Sequence, residues 1–165
     1  MQKLFTSILL LLVLTVSNAQ KFDKVKNNVL INQFEAAKAD YDKILSKTPS
    51  LANTPEAIFW EAKIYNGFFK DSTLSKKYPN SFQDMRANLE KLLGSEQGNA
   101  FINEKATKDK EVNSPDPFIQ VYTKTMNEGI KLYGQNKFKE AAELFNTGVK
   151  YSDVFYGRGW LETKV

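Results

Sequence analysis

Apolar residues recur at steps of three and four along most of the chain, the spacing of helices that bury one face. Residues 34–47 (FEAAKADYDKILSK) place Phe34, Ala37, Tyr41, Ile44 and Leu45 on such a face, and Pro49 is expected to stop the helix. Just upstream, Phe22, Val25, Val29 and Leu30 form a shorter stripe. A tight turn at Asn32-Gln33 would join the two stripes into a helix hairpin. Near the end, Phe118, Val121, Tyr122, Met126, Ile130, Leu132 and Tyr133 predict a long helix over 118–134. Gln135-Asn136 turns the chain, and Phe138, Ala141, Phe145 and Gly148, with Val149 beside them, predict a partner helix over 138–151.

Between these hairpins the pattern is looser. Residues 55–69 read as a helix with Pro55 in its first turn and Thr54 as N-cap. Residues 81–93 turn Phe82, Met85, Leu89, Leu92 and Leu93 inward, with Asn80 or Ser81 as cap and Gly94 as stop. Residues 70–80 read as a long connector. Residues 94–117 carry little periodicity and read as a solvated connector, with a binding loop as the functional alternative. No stretch alternates with β-branched enrichment, so the expected class is all-α with five to six helices.

The first residues differ from the rest. Lys3 precedes an apolar run from Ile8 to Val16, and Ser17 and Ala19 put small residues where a leader would be cut. The run is short for a bilayer span, so residues 1–19 are expected to be a signal peptide and the product to be exported, periplasmic or secreted, with no transmembrane span after cleavage. Removal takes one charged residue, Lys3, so the net charge of +4 becomes +3. The remaining length suits one small domain.

Composition then narrows the chemistry. The chain has 23 Lys and Arg against 19 Asp and Glu, and neither His nor Cys. Disulfides, thiolate nucleophiles, imidazole acid–base catalysis and His or Cys metal ligation are therefore excluded. Only Arg86 and Arg158 could read phosphate or guanine bidentately, and the lysines are interleaved with acids, so nucleic acid is not an expected partner. The carboxylate pairs Glu56 and Glu61, Asp40 and Asp42, and Asp84 and Glu90 lie among alternating charges of a solvated kind. Gly94 and Gly98 lack the lysine of a phosphate loop. The expectation is a protein with no cofactor, no metal and no catalytic residues.

The two clear hairpins repeat one statement. FEAAKADYDKI and FKEAAELFNTG match aromatic, alanine, aromatic and small-or-apolar positions at the same spacing. This resembles the tetratricopeptide repeat (TPR) family, whose units of about 34 residues carry a small residue in the first helix, A-x3-F in the second and a terminal Pro. Phe34, Ala37, Tyr41, Ile44 and Pro49 match the second-helix half of one unit. Gly129, Phe138, Ala141, Phe145 and Gly148 match another, with Asp153 where the Pro would stand. The middle unit departs most: Ala62 and Lys63 occupy the tight-contact region and Met85 replaces the alanine.

The resemblance implies a right-handed stack of antiparallel helix hairpins, a TPR-like α-solenoid over residues 20–153, with repeats near 20–51, 55–93 and 118–152. It also implies a non-catalytic scaffold that takes a protein or peptide partner in a groove lined by first helices. By that analogy Trp60, Ile64, Phe68, Met126, Ile130 and Tyr133 are groove candidates, although each also fits ordinary core. An alternative is a small-ligand or glycan-binding accessory protein with an aromatic pocket of Trp60, Tyr65 and Phe68. Residues 154–165, with Phe155, Tyr156, Trp160 and Leu161, read either as a strand-like tail over the last hairpin or as an uncapped face prone to self-association.

Overall fold

The computed structural model describes residues 21–107 and 114–158. The expected leader, residues 1–19, and the last part of the expected tail, residues 159–165, lie outside them. The described residues are all-helical. Eight α-helices follow in chain order: α1 Asp23–Leu30, α2 Phe34–Lys47, α3 Pro55–Lys70, α4 Leu74–Lys77, α5 Ser81–Leu93, α6 Glu96–Thr107, α7 Asp116–Gly134 and α8 Phe138–Ser152. A 3-10 turn, Pro49–Asn53, follows α2, and a π-helical turn, Asp153–Gly157, continues α8.

Pairing follows the hairpins: α1 packs on α2, α3 on α5, and α7 on α8. The pairs then meet in chain order, with α1 and α2 against α3, and α3 and α5 against α7. Helix α3 therefore sits at the centre, and nine of its 16 residues are buried, too many for a single apolar stripe. Its start matches expectation, since the Thr54 hydroxyl accepts from the Ala57 N–H at 3.3 Å ahead of Pro55.

The first and last hairpins turn in the same way. Asn32 and Asn136 have φ of 59° and 60°, the left-handed region that Asn tolerates better than most residues. Around each, two backbone bonds close a Schellman turn: Gln33 N–H to Asn28 O and Asn32 N–H to Val29 O, then Lys137 N–H to Leu132 O and Asn136 N–H to Tyr133 O. Five residues past each Asn stands an alanine, Ala37 or Ala141, with no exposed surface. Within the last pair a Cβ on Gly129 would lie 2.6 Å from the Phe145 ring, and one on Gly148 would lie 2.6 Å from Met126 Sδ. Small residues at these points let α7 and α8 close on each other.

Aromatic side chains fill the space within each pair. Phe22 meets Tyr41 at 5.9 Å between ring centroids, Phe69 meets Phe82 at 5.1 Å, and Phe118 meets Tyr151 at 6.3 Å. Phe34 lies across α3 at Gly67, where a Cβ would fall 2.1 Å from its ring.

Three expectations need correction. Residues 94–117 are no bare connector: α6 occupies most of them, with Ile102 and Ala106 buried and Phe101 5.6 Å from Phe59. Gly94 ends α5 as its C-cap, as expected, with φ of −83°, and the chain then bends into α6 where Ser95 Oγ accepts from Gly98 N–H at 3.0 Å. The described start of the tail, residues 154–158, is neither strand-like nor bare. It extends α8 helically, buries Val154 and Phe155, and sends Arg158 to Asn99 Oδ1 at 2.8 Å and Asn103 Oδ1 at 2.7 Å on α6. The connector of residues 70–80 also carries the short α4, after which Tyr78 stacks on Phe68 at 4.0 Å. No helix among the described residues is long and apolar enough to cross a membrane.

Candidate functional site

The six groove candidates divide by helix. Trp60, Ile64 and Phe68 are core side chains, because α3 is enclosed by α1, α2, α5 and α7 and keeps no outward apolar face. They cannot meet a partner from outside. Met126 is half-buried, whereas Ile130 and Tyr133 are 61% and 60% exposed. Tyr133 packs edge-on against Phe138 at 5.2 Å, so Ile130, Tyr133 and Phe138 form an apolar patch at the turn end of α7 and α8. Of the packing positions, Ala37, Tyr41, Gly129, Ala141 and Gly148 are buried; Phe34, Ile44 and Phe145 are half-buried, and Phe138 is exposed.

One cleft brings together residues that the sequence reading did not assemble. A cavity of about 430 Å³ opens between the end of α1, the later half of α3 and the start of α7. Val29, Leu30 and Phe34 form its apolar wall; Lys63, Asn66, Lys70, Asp71, Ser114 and Asp116 supply the polar one. Lys63 and Asn66 stand three apart on α3, hence on one helix face. They are only 6% and 5% exposed.

Lys63 Nζ donates to the Ser114 carbonyl at 2.7 Å and lies 5.8 Å from the Phe59 ring. Burial pushes its pKa down to about 8, against the pull of the Asp116 charge. Asp116 itself accepts from the Ser114 hydroxyl at 2.5 Å. Asp71 Oδ1 takes the N–H groups of Thr73 and Leu74, both at 2.8 Å, and so starts α4 at the rim. Asn66 Oδ1 is buried with no hydrogen-bond partner. Buried polar atoms are nearly always paired, so this orphaned acceptor, three residues along α3 from a buried ammonium, is an exception.

No protein-family model, curated protein or solved structure matches the chain. The site is therefore read from its own residues. Trp60, Tyr65 and Phe68 do not line this cavity, so the expected aromatic pocket is not the cleft found here. Among the described residues, no group of three or more Asp, Glu, His or Cys is placed to hold a metal ion. One signal could have found the cleft in the sequence: Lys63, Asn66 and Gly67 are polar or small residues inside the mostly apolar run Ala62–Phe69. Ser114 and Asp116 carry no such mark, because only the fold brings α7 over α3.

Proposed function

We propose that the chain is an exported, non-catalytic scaffold that binds another protein through a short TPR-like stack of helix hairpins. One observation carries the reading: the first and last hairpins repeat the same Asn-centred turn and the same buried alanine, and the pairs meet in chain order. Hairpins that cannot bury their faces alone gain stability by stacking, and a stack ends in faces that can take a partner. The patch of Ile130, Tyr133 and Phe138 is such a surface, made of large apolar side chains at more than half exposure. Export rests on the leader-like run of residues 8–19.

The test is affinity capture from envelope extract with the wild-type chain and a Tyr133→Ser/Phe138→Ser variant. Both side chains are exposed, so the variant should keep its helical circular dichroism and lose the captured proteins. Capture of the same set by both chains, or of none by the wild type, defeats the proposal.

A further inference from the structure

We propose that the last hairpin takes an α-helix of another protein across α8, in the place that α3 holds over α2, with a glycine or alanine facing Phe138 and an acidic side chain facing Lys139. This rests on the scaffold reading and names the chemistry of its partner.

The two Asn turns put the first and last hairpins in register. With Asn32 matched to Asn136, the residues Val29, Phe34, Tyr41 and Leu45 correspond to Tyr133, Phe138, Phe145 and Val149. In the first hairpin α3 lies over this face. Val29 and Tyr41 are buried there, and Phe34 and Leu45 are half-buried. In the last hairpin all four positions are more open: Tyr133, Phe138 and Val149 are exposed and Phe145 is half-buried. Among the described residues no other helix packs along α8, which leans on α7 and on the turn that continues it. Exposed Ala142 joins the stripe, so apolar residues recur on α8 at 138, 142, 145 and 149, the spacing by which one helix seats another. Beside Val149 a groove of about 590 Å³ reaches Leu93 and Asn99, so this end of the stripe has room for a partner.

The first hairpin also shows what the covering helix must carry. Phe34 meets α3 at a glycine, where a Cβ would fall 2.1 Å from its ring. A helix approaching Phe138 as closely needs a small residue opposite it. Charge sets the second requirement. Glu35, next to Phe34, accepts from Lys77 Nζ at 2.6 Å and from the Tyr78 hydroxyl at 3.0 Å, both supplied by the segment after α3. The matching residue on α8 is the exposed Lys139, so the sign is reversed and a carboxylate is called for. The reversal also tells against a second copy of this chain. Its α3 is already buried in its own core, and it would carry Lys77 toward Lys139.

Fluorescence anisotropy with the full chain supplies the test. The probe is a labelled synthetic peptide of residues 55–78 carrying Lys77→Glu. It should bind with Kd below about 100 µM. The unsubstituted peptide should bind at least about threefold more weakly at low ionic strength, and Lys139→Glu in the protein should invert that order. A Gly67→Leu form of the probe should bind at least about tenfold more weakly, as should the probe to Phe138→Ser protein. Absence of binding overturns the proposal, as does binding that survives Gly67→Leu or Phe138→Ser. A Phe138-dependent dimer in sedimentation would give the face to a second copy, and tighter probe binding by Trp160→Ser/Leu161→Ser would give it to the chain's own last residues; either result overturns the proposal. If the probe fails while envelope capture still depends on Tyr133 and Phe138, the helix falls and the scaffold reading stands. The peptide series needs only wild-type protein, so it decides even if a variant fails to fold.

Discussion

Lys63 offers a measurement that isolates one buried charge. The enclosing helices leave only 6% of the residue exposed, and its pKa falls from 10.5 to about 8. The folded state therefore holds this proton less tightly than the unfolded chain does. Below about pH 8 both states are protonated and the full cost of the buried charge is present; as pH rises toward 10.5 the folded lysine becomes neutral first and the cost is relieved. Stability contributed by this residue thus rises with pH. At 1.36 kcal/mol per pKa unit the shift corresponds to about 3 kcal/mol at pH 7, of which about 2 kcal/mol should vanish by pH 9.5. Lys63→Met keeps most of the stem and removes the titration. Losing the bond to Ser114 O displaces the variant's stability by about 1 kcal/mol at every pH and leaves the slope untouched. Urea unfolding of both proteins at several pH values between 7 and 9.5 gives the difference curve, in which titrations common to both cancel. The variant's advantage should shrink by about 2 kcal/mol across that range. A flat curve would mean that Lys63 keeps an ordinary pKa, and the account of its burial would fail.

The twin alanines are tested by enlarging them. Ala37→Leu and Ala141→Leu should each cost about 1–3 kcal/mol in denaturant unfolding through overpacking, and an unchanged midpoint for either would remove that contact. The twin turns are tested by backbone preference. Asn136→Gly should stay within about 1 kcal/mol of wild type, whereas Asn136→Val, forced to a φ of 60°, should lose about 1–2 kcal/mol or more, with the same order at Asn32. Equal effects of Gly and Val would contradict the left-handed geometry. Finally, the buried Tyr151 hydroxyl makes no hydrogen bond of good geometry, although the Arg86 guanidinium, which donates Nε to Glu90 at 2.8 Å, lies close enough to act on it. Tyr151→Phe should be neutral or stabilising by up to about 1 kcal/mol. A marked fall in thermal midpoint would show that the hydroxyl is bonded.

The hairpins could be read from sequence where one face repeats. The segments 34–47 and 81–93 coincide with α2 and α5, because regular apolar spacing and the breaker Pro49 agree, although Asn80 starts α5 without a side-chain capping bond. Helix α6 escaped because it carries only Phe101, Ile102 and Ala106 as apolar contacts, and its Ser95 cap lies directly behind the glycine that ends α5. The groove assignment failed on α3 for a related reason. Periodicity tells which residues share a face, but a helix surrounded on several sides buries more than one, so Trp60, Ile64 and Phe68 went inward together. Residues 154–158 could not be placed from sequence because their aromatic side chains do not say which surface receives them; Arg158 reaching Asn99 and Asn103 does.

Local rules therefore settled the helical class, the two Asn turns and the small residues where helices close. These depend on neighbours within a few positions, where spacing and backbone sterics act directly. The cavity is different. Lys63 and Ser114 lie 51 residues apart in sequence and meet only because the pairs stack, and the depressed lysine pKa and the orphaned Asn66 oxygen follow from the water that stacking excludes. Desolvation is a property of the assembled fold, and no stretch of the chain carries it alone.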